Sequence, residues 1–297
     1  MTNDKIRLNI GGAFAKRTQL IPYIFKNKKI LQYFNLTVYD GINSCSWNGG
    51  RINRDISYDD DIINFYYRNK INIALTFTNP IINLNDTTGN HLLEKFHVHG
   101  NSIISVNDQL RKYIKKNYPK YKHIRSITSF GNIDIPMSDS DLDRYKSLEK
   151  DYDYIVPRME HVFDERFEQL NMRKYEIMVN DTCIYGCPYY KDHFEQIALQ
   201  NRLYKKPWSE ADSAELRKVE ECWLPNFDPC VGHLPTVKKY GENYGMDLTI
   251  KQMNKLIGRG ISNFKITGRE MTSEQYEGEL NNYLMPLYES LDINSHG

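Results

Sequence analysis

Cys183 and Cys187 in TCIYGCPYY, with Cys222 and Cys230 in ECWLPNFDPC, place four of the chain's five cysteines in its last two-fifths. Thiolates are soft ligands that suit zinc and iron–sulfur clusters, and four of them close a tetrahedral zinc site or complete the ligand set of a [4Fe–4S] cluster. This grouping predicts a shared metal or cluster site, against the alternatives of small buried hydrophobes or disulfides. Pro188 favours the first position of a helix, which puts Cys187 at the N-cap. There the positive end of the helix dipole and free backbone N–H groups stabilise a thiolate. Seven residues separate Cys222 from Cys230, more than a zinc knuckle uses, so a cluster is favoured over zinc. The two prolines of PNFDP supply a rigid turn that would bring this pair back toward the first.

The opening MTNDKIRLNIGG has no apolar core followed by a small-residue cleavage site, so the expectation is a cytoplasmic chain whose thiols stay reduced. With 297 residues, 40% apolar side chains and net charge +1, the chain can bury a substantial core and shows no polyelectrolyte character. No apolar run approaches a membrane span, and no linker or repeat divides the sequence, which predicts a single domain over residues 1–297. The basic run RKYIKKNYPKYK at 111–122 fits an amphipathic helix with a solvated face, although it leaves contact with nucleic acid open.

Something must position the cysteines, and the order of elements says what. Short β-branched runs predict strands at 6–10, 35–39, 72–78, 102–106, 123–128, 153–157, 174–179 and 262–267. Helical patterns lie between them at 58–69, 87–97, 108–117, 139–149, 162–170, 190–201 and 249–258, several opened by Asp, Ser or Thr. Repeated strand–helix alternation over this length predicts an α/β fold of the (β/α)8 TIM-barrel type, with an insertion at 202–247 between strands seven and eight. Ligand sites in such barrels gather at the carboxyl ends of the strands. The loops that follow them here include YDGINSCSWNGGR, TNP, NDTCIYGCP and KITGR.

Side chains alternate between the two faces of a strand. In SNFKITGR, Phe264 and Ile266 would pack on the helices, leaving Lys265, Thr267 and Arg269 toward the barrel mouth. In the preceding strand Tyr175, Ile177 and Val179 take the outer face, so Glu176, Met178 and Asn180 point inward, and Lys265 is the natural partner for Glu176. WNGGR offers close backbone approach at its glycines and an arginine, Arg51, suited to carboxylate or phosphate. Asn48 of that segment, Asn79 of TNP, Asn180 and His193 are the remaining candidates for substrate contact. Cys45 is expected to be a spectator, and His97-Val98-His99 a surface feature.

KYEIMVNDTCIYGCPYYKDHF, followed by further cysteines and by a strand ending FKITGRE, resembles peptidase family U-thirty-two, the collagenase-like proteases. Asn180, Cys183, Cys187, Lys265, Gly268 and Arg269 match its pattern position by position; Cys222 and Cys230 match in kind but not in spacing. Characterised relatives include oxygen-independent hydroxylases that hold a [4Fe–4S] cluster on four cysteines and take their hydroxyl from prephenate. The resemblance therefore implies a cluster on Cys183, Cys187, Cys222 and Cys230; taken with strand parity and the WNGGR loop, the expectation is a small anionic carboxylate co-substrate held by Lys265, Arg269 and Arg51, with Lys265, Arg269 and Glu176 as the catalytic residues. It also leaves a peptidase, or a metal-stapled subunit of a hetero-oligomer, as alternatives. The chain carries neither a serine nucleophile elbow nor a metalloprotease helix motif.

Overall fold

A computed structural model of the chain describes residues 5–42, 44–49, 56, 58–181, 183, 185–187, 190–204, 214, 217, 246–268 and 271–295. Arg51, Arg269, Cys222 and Cys230 lie outside the described residues, as does most of the expected insertion.

All eight expected strands form. They are β1 (Arg7–Gly11), β2 (Asn35–Asp40), β3 (Asn72–Phe77), β4 (Ser102–Ser105), β5 (Lys122–Arg125), β6 (Tyr154–Ile155), β7 (Glu176–Met178) and, after the short pair β8 (Asn180–Asp181) and β9 (Met246–Asp247), β10 (Asn263–Ile266). Hydrogen bonding orders the eight as β6-β5-β4-β3-β2-β1-β10-β7, every neighbour parallel. A parallel bridge between Ile155 and Tyr175 joins the two edges and brings the sheet round into a (β/α)8 barrel. β8 and β9 form a separate antiparallel pair at the end of β7, with Asp181 opposite Met246.

The helices are α1 (Arg17–Lys26), α2 (Lys28–Leu31), α3 (Asp60–Arg68), α4 (Thr87–Lys95), α5 (Asp108–Asn117), α6 (Asp139–Glu149), α7 (Tyr190–Tyr204), α8 (Ile250–Gly258) and α9 (Ser273–Ser295). Side-chain oxygens of Asp59, Asp86, Asn107, Ser138 and Thr249 accept first-turn N–H groups and so start α3, α4, α5, α6 and α8. α1 and α9 carry Pro22 and Pro286 in their interiors, where proline works against a helix. Packing overrides that cost: buried Leu20, Tyr23 and Ile24 fix α1, and the Tyr23 hydroxyl donates to Asn281 of α9 at 2.9 Å.

The expected helix at 162–170 is replaced by short 3₁₀ turns, Met159–His161 and Glu165–Gln169. Phe167 and Leu170 are both buried. Their spacing of three matches the tighter 3₁₀ period, and Leu170 then turns extended toward β7. Among the described residues, no helix is long and apolar enough to cross a membrane.

The alternation expected along the strands holds. Leu8, Ile10, Ile177, Phe264 and Ile266 are buried on one face, and Arg7, Asn9, Glu176 and Lys265 meet on the other. This barrel centre is polar, so each of its charges requires a partner.

Candidate active site at the barrel mouth

The carboxyl ends of the strands surround a cavity of about 690 Å³. Tyr39, Thr76, Ile104, Met178, Lys265 and Thr267 line it from the barrel, and Tyr190, Phe194 and Ile197 of α7 line it from above. The mixture is aromatic and aliphatic with a few charged groups, the usual composition of a small-molecule site. Asn79 ties wall to roof: its Nδ2 donates to the Ala198 carbonyl of α7 at 3.2 Å, and its backbone N–H donates to Trp47 at 2.9 Å.

Four cations line the cavity, Lys191 on α7 and Arg125, Arg144 and Lys265 on its walls. Arg125 donates to Ser129, Asp108 and the Tyr152 hydroxyl, and Arg144 donates to the carbonyls of Ser129 and Phe130. These contacts tie both guanidinium groups to the wall. Lys265 differs in reach. Its ammonium lies 4.1 Å over the Tyr39 ring and 3.9 Å from Glu176 Oε1. Glu176 has a closer partner than the expected lysine, because Arg7 Nη1 donates to Oε2 and Asn9 Nδ2 donates to both carboxylate oxygens at 3.1 and 3.2 Å. Arg7 and Lys265 both lie within ion-pair distance of Glu176, and of the two it is Lys265 that lines the cavity.

The cysteine turn stands at the edge of this cavity. The Cys183 thiol hydrogen-bonds to Cys187, and this contact, with burial behind it, raises its pKa. Cys187 is buried, and its carbonyl accepts the N–H of Tyr190, the first described residue of α7, at 3.4 Å. Two thiols side by side are half of a soft four-ligand set. Among the described residues, no group of three or more His, Cys, Asp or Glu side chains could hold a metal ion, so the pair would need further ligands.

Asp181, which no sequence motif marks, lines the cavity and bonds to the cysteine turn. Its Oδ1 accepts the Cys183 N–H at 3.0 Å, while Oδ2 is buried without a hydrogen-bond partner. Burial pushes its pKa up to about 6, against the pull of that N–H and of Arg158. Position alone could have flagged it, since it ends a barrel strand two residues before a cysteine.

The barrel is similar to that of a U32 peptidase. The structure of the U32 peptidase Mk0906 superposes on 89% of this chain and 93% of its own, with a TM-score of 0.51 and 9% sequence identity. At that identity the likeness is one of fold. No protein-family model matches the chain, and neither does any curated protein.

The other expected site residues fall in two places. Asn48 is buried, and the Thr76 hydroxyl donates to its Oδ1 at 3.5 Å, close under the cavity. Asn180 serves the frame: its Oδ1 accepts the Thr267 N–H at 2.7 Å, and its Nδ2 donates to the Thr267 carbonyl at 3.1 Å and to Glu279 at 2.9 Å. His193 stacks on Phe194 with ring centroids 5.4 Å apart and is not among the residues that line the cavity. Cys45 is buried in the apolar core.

Proposed function

We propose that the chain is a metal-dependent enzyme of the U32 peptidase type, carrying a [4Fe–4S] cluster on Cys183, Cys187, Cys222 and Cys230 and acting on a small carboxylate, as an oxygen-independent hydroxylase does. The observation that carries this reading is the thiol pair of Cys183 and Cys187 beside a cavity lined by Lys265. Met246, where the described chain resumes after α7, pairs with Asp181, two residues from Cys183.

When bound, such a cluster supplies one-electron redox chemistry. The chain's own residues bind and orient. Lys265, which lines the cavity beside Glu176, would meet the carboxylate of a co-substrate. Arg269 and Arg51 would add to this anion site. Asp181 Oδ2 offers an acceptor for an O–H or N–H group at the cluster side, and Phe194 and Ile197 of α7 restrict water over the cavity.

A peptidase is the second reading, favoured by the fold likeness to a U32 peptidase. Metal removal separates the two. Stripping the metal with a chelator in air should abolish turnover and reveal no cleavage of unfolded protein. Cleavage that survives the stripping would overturn the hydroxylase reading in favour of the peptidase.

A further inference from the structure

Two carboxylates hold the backbone of the cysteine turn. Asp181 Oδ1 accepts the Cys183 N–H, and Glu160 Oε1 accepts the Gly186 N–H at 3.1 Å, inside the turn between the thiols. Gly186 has φ +66°, a conformation open to glycine, so this N–H is aimed by a backbone that few other residues would adopt.

Glu160 is itself gripped. Both it and Arg158 are buried in the segment after β6, and Arg158 donates from Nε to Oε2 at 3.1 Å and from Nη2 to Oε1 at 2.6 Å. Its Nη1 donates to the Gly131 carbonyl at 2.6 Å, and the guanidinium lies 3.6 Å from the centre of the Tyr190 ring, where α7 begins. Burial works against the charge on Arg158, but the pairing with Glu160 outweighs it and raises the pKa. One guanidinium therefore fixes the carboxylate that holds the turn on one side of Cys187 and the aromatic ring that starts the helix on the other.

A buried ion pair adds little stability over an apolar substitute, so its presence is better explained by the geometry it imposes. Resting on the metal reading above, we propose that Glu160 and Arg158 are positioning residues that preset the Cys183–Cys187 spacing for a thiolate-bound metal. Groups that orient metal ligands in this way typically govern about ten- to a hundredfold in metal affinity.

The test titrates metal-free, full-length protein with cobalt(II) under anaerobic conditions and follows the thiolate-to-cobalt charge-transfer absorption. Wild-type protein should show the bands and Cys183→Ser should lose them. Glu160→Gln keeps the side-chain length but loses the two-pronged charged contact. It should bind cobalt about ten- to a hundredfold more weakly, with shifted bands. If that variant does not fold, Arg158→Lys, which keeps the cation but not the fork, is measured in its place with the same expectation. A purely structural role would lower the melting temperature and leave affinity and band positions unchanged. That result, alongside normal wild-type bands, would overturn the positioning role alone. Wild-type protein without thiolate bands would overturn the metal reading and the positioning role together.

Discussion

Arg7 and Glu176 face each other across β10 inside the barrel, with Asn9 completing the contact, while Lys265 stands 3.9 Å from the same carboxylate. The partner that neutralises Glu176 is therefore the arginine, and removing either cation should have a different consequence. Arg7→Met takes the nearest cation from a buried carboxylate and should cost about 3–5 kcal/mol, whereas Lys265→Ala, which leaves Arg7 and Asn9 on Glu176, should cost less. Urea unfolding of the two variants measures this, and equal losses would contradict the assignment.

Lys265→Ala should instead act on binding. A charge-assisted contact contributes about 1.5–3 kcal/mol, so small-carboxylate affinity should fall about ten- to a hundredfold with metal content unchanged. Calorimetry on the variant reads this directly, and undiminished affinity for every carboxylate that the wild type binds would refute the anion site.

How much of this was legible in the sequence depends on what each feature requires. The strands were, because β-branched runs such as NIALTF and SIIS are local signals. Parity then correctly sent Glu176 and Lys265 inward. Arg7 was not, because its pairing with Glu176 arises only when closure of the barrel sets β1 beside β10. Arg158 and Glu160 were hidden for the same reason: they approach the cysteine turn through the fold, some 25 residues upstream in sequence. α1 was masked by Pro22, and the 3₁₀ turns around Phe167 looked helical because apolar residues three apart suit both periods.

Acid stability should depend on His123. It is buried with neither ring nitrogen hydrogen-bonded, and burial lowers its pKa to about 4; Asp153 opposes this, while Arg111 and Lys115 reinforce it. The unfolded chain therefore binds the extra proton between about pH 6.5 and 4, and stability must fall as pH drops through that window, by at most about 1.4 kcal/mol per pH unit. Asp181 acts with the opposite sign, because its raised pKa makes the folded state take up a proton as pH falls through about 6. Urea unfolding at several pH values should show a shallower acid loss in His123→Gln than in wild type. Parallel curves would rule out His123 as the source.

Asn180 of β8 is tied through both ends of its amide to Thr267, just past β10, and to Glu279 of α9. Asn180→Ala leaves the Thr267 N–H and carbonyl without these partners and should cost about 1–3 kcal/mol. Thermal unfolding measures the loss. Wild-type stability combined with impaired ligand binding would instead make Asn180 a substrate contact.

The central claim is that Cys183 and Cys187 hold part of an iron–sulfur cluster beside the cavity, and iron and acid-labile sulfide content tests it most directly. Protein purified without oxygen should be brown and contain about four irons and four sulfides per chain. Cys183→Ser or Cys187→Ser should abolish both, and Cys45→Ser should leave both intact. Stoichiometric zinc without sulfide, or a full complement of iron in the Cys183→Ser protein, would contradict the account.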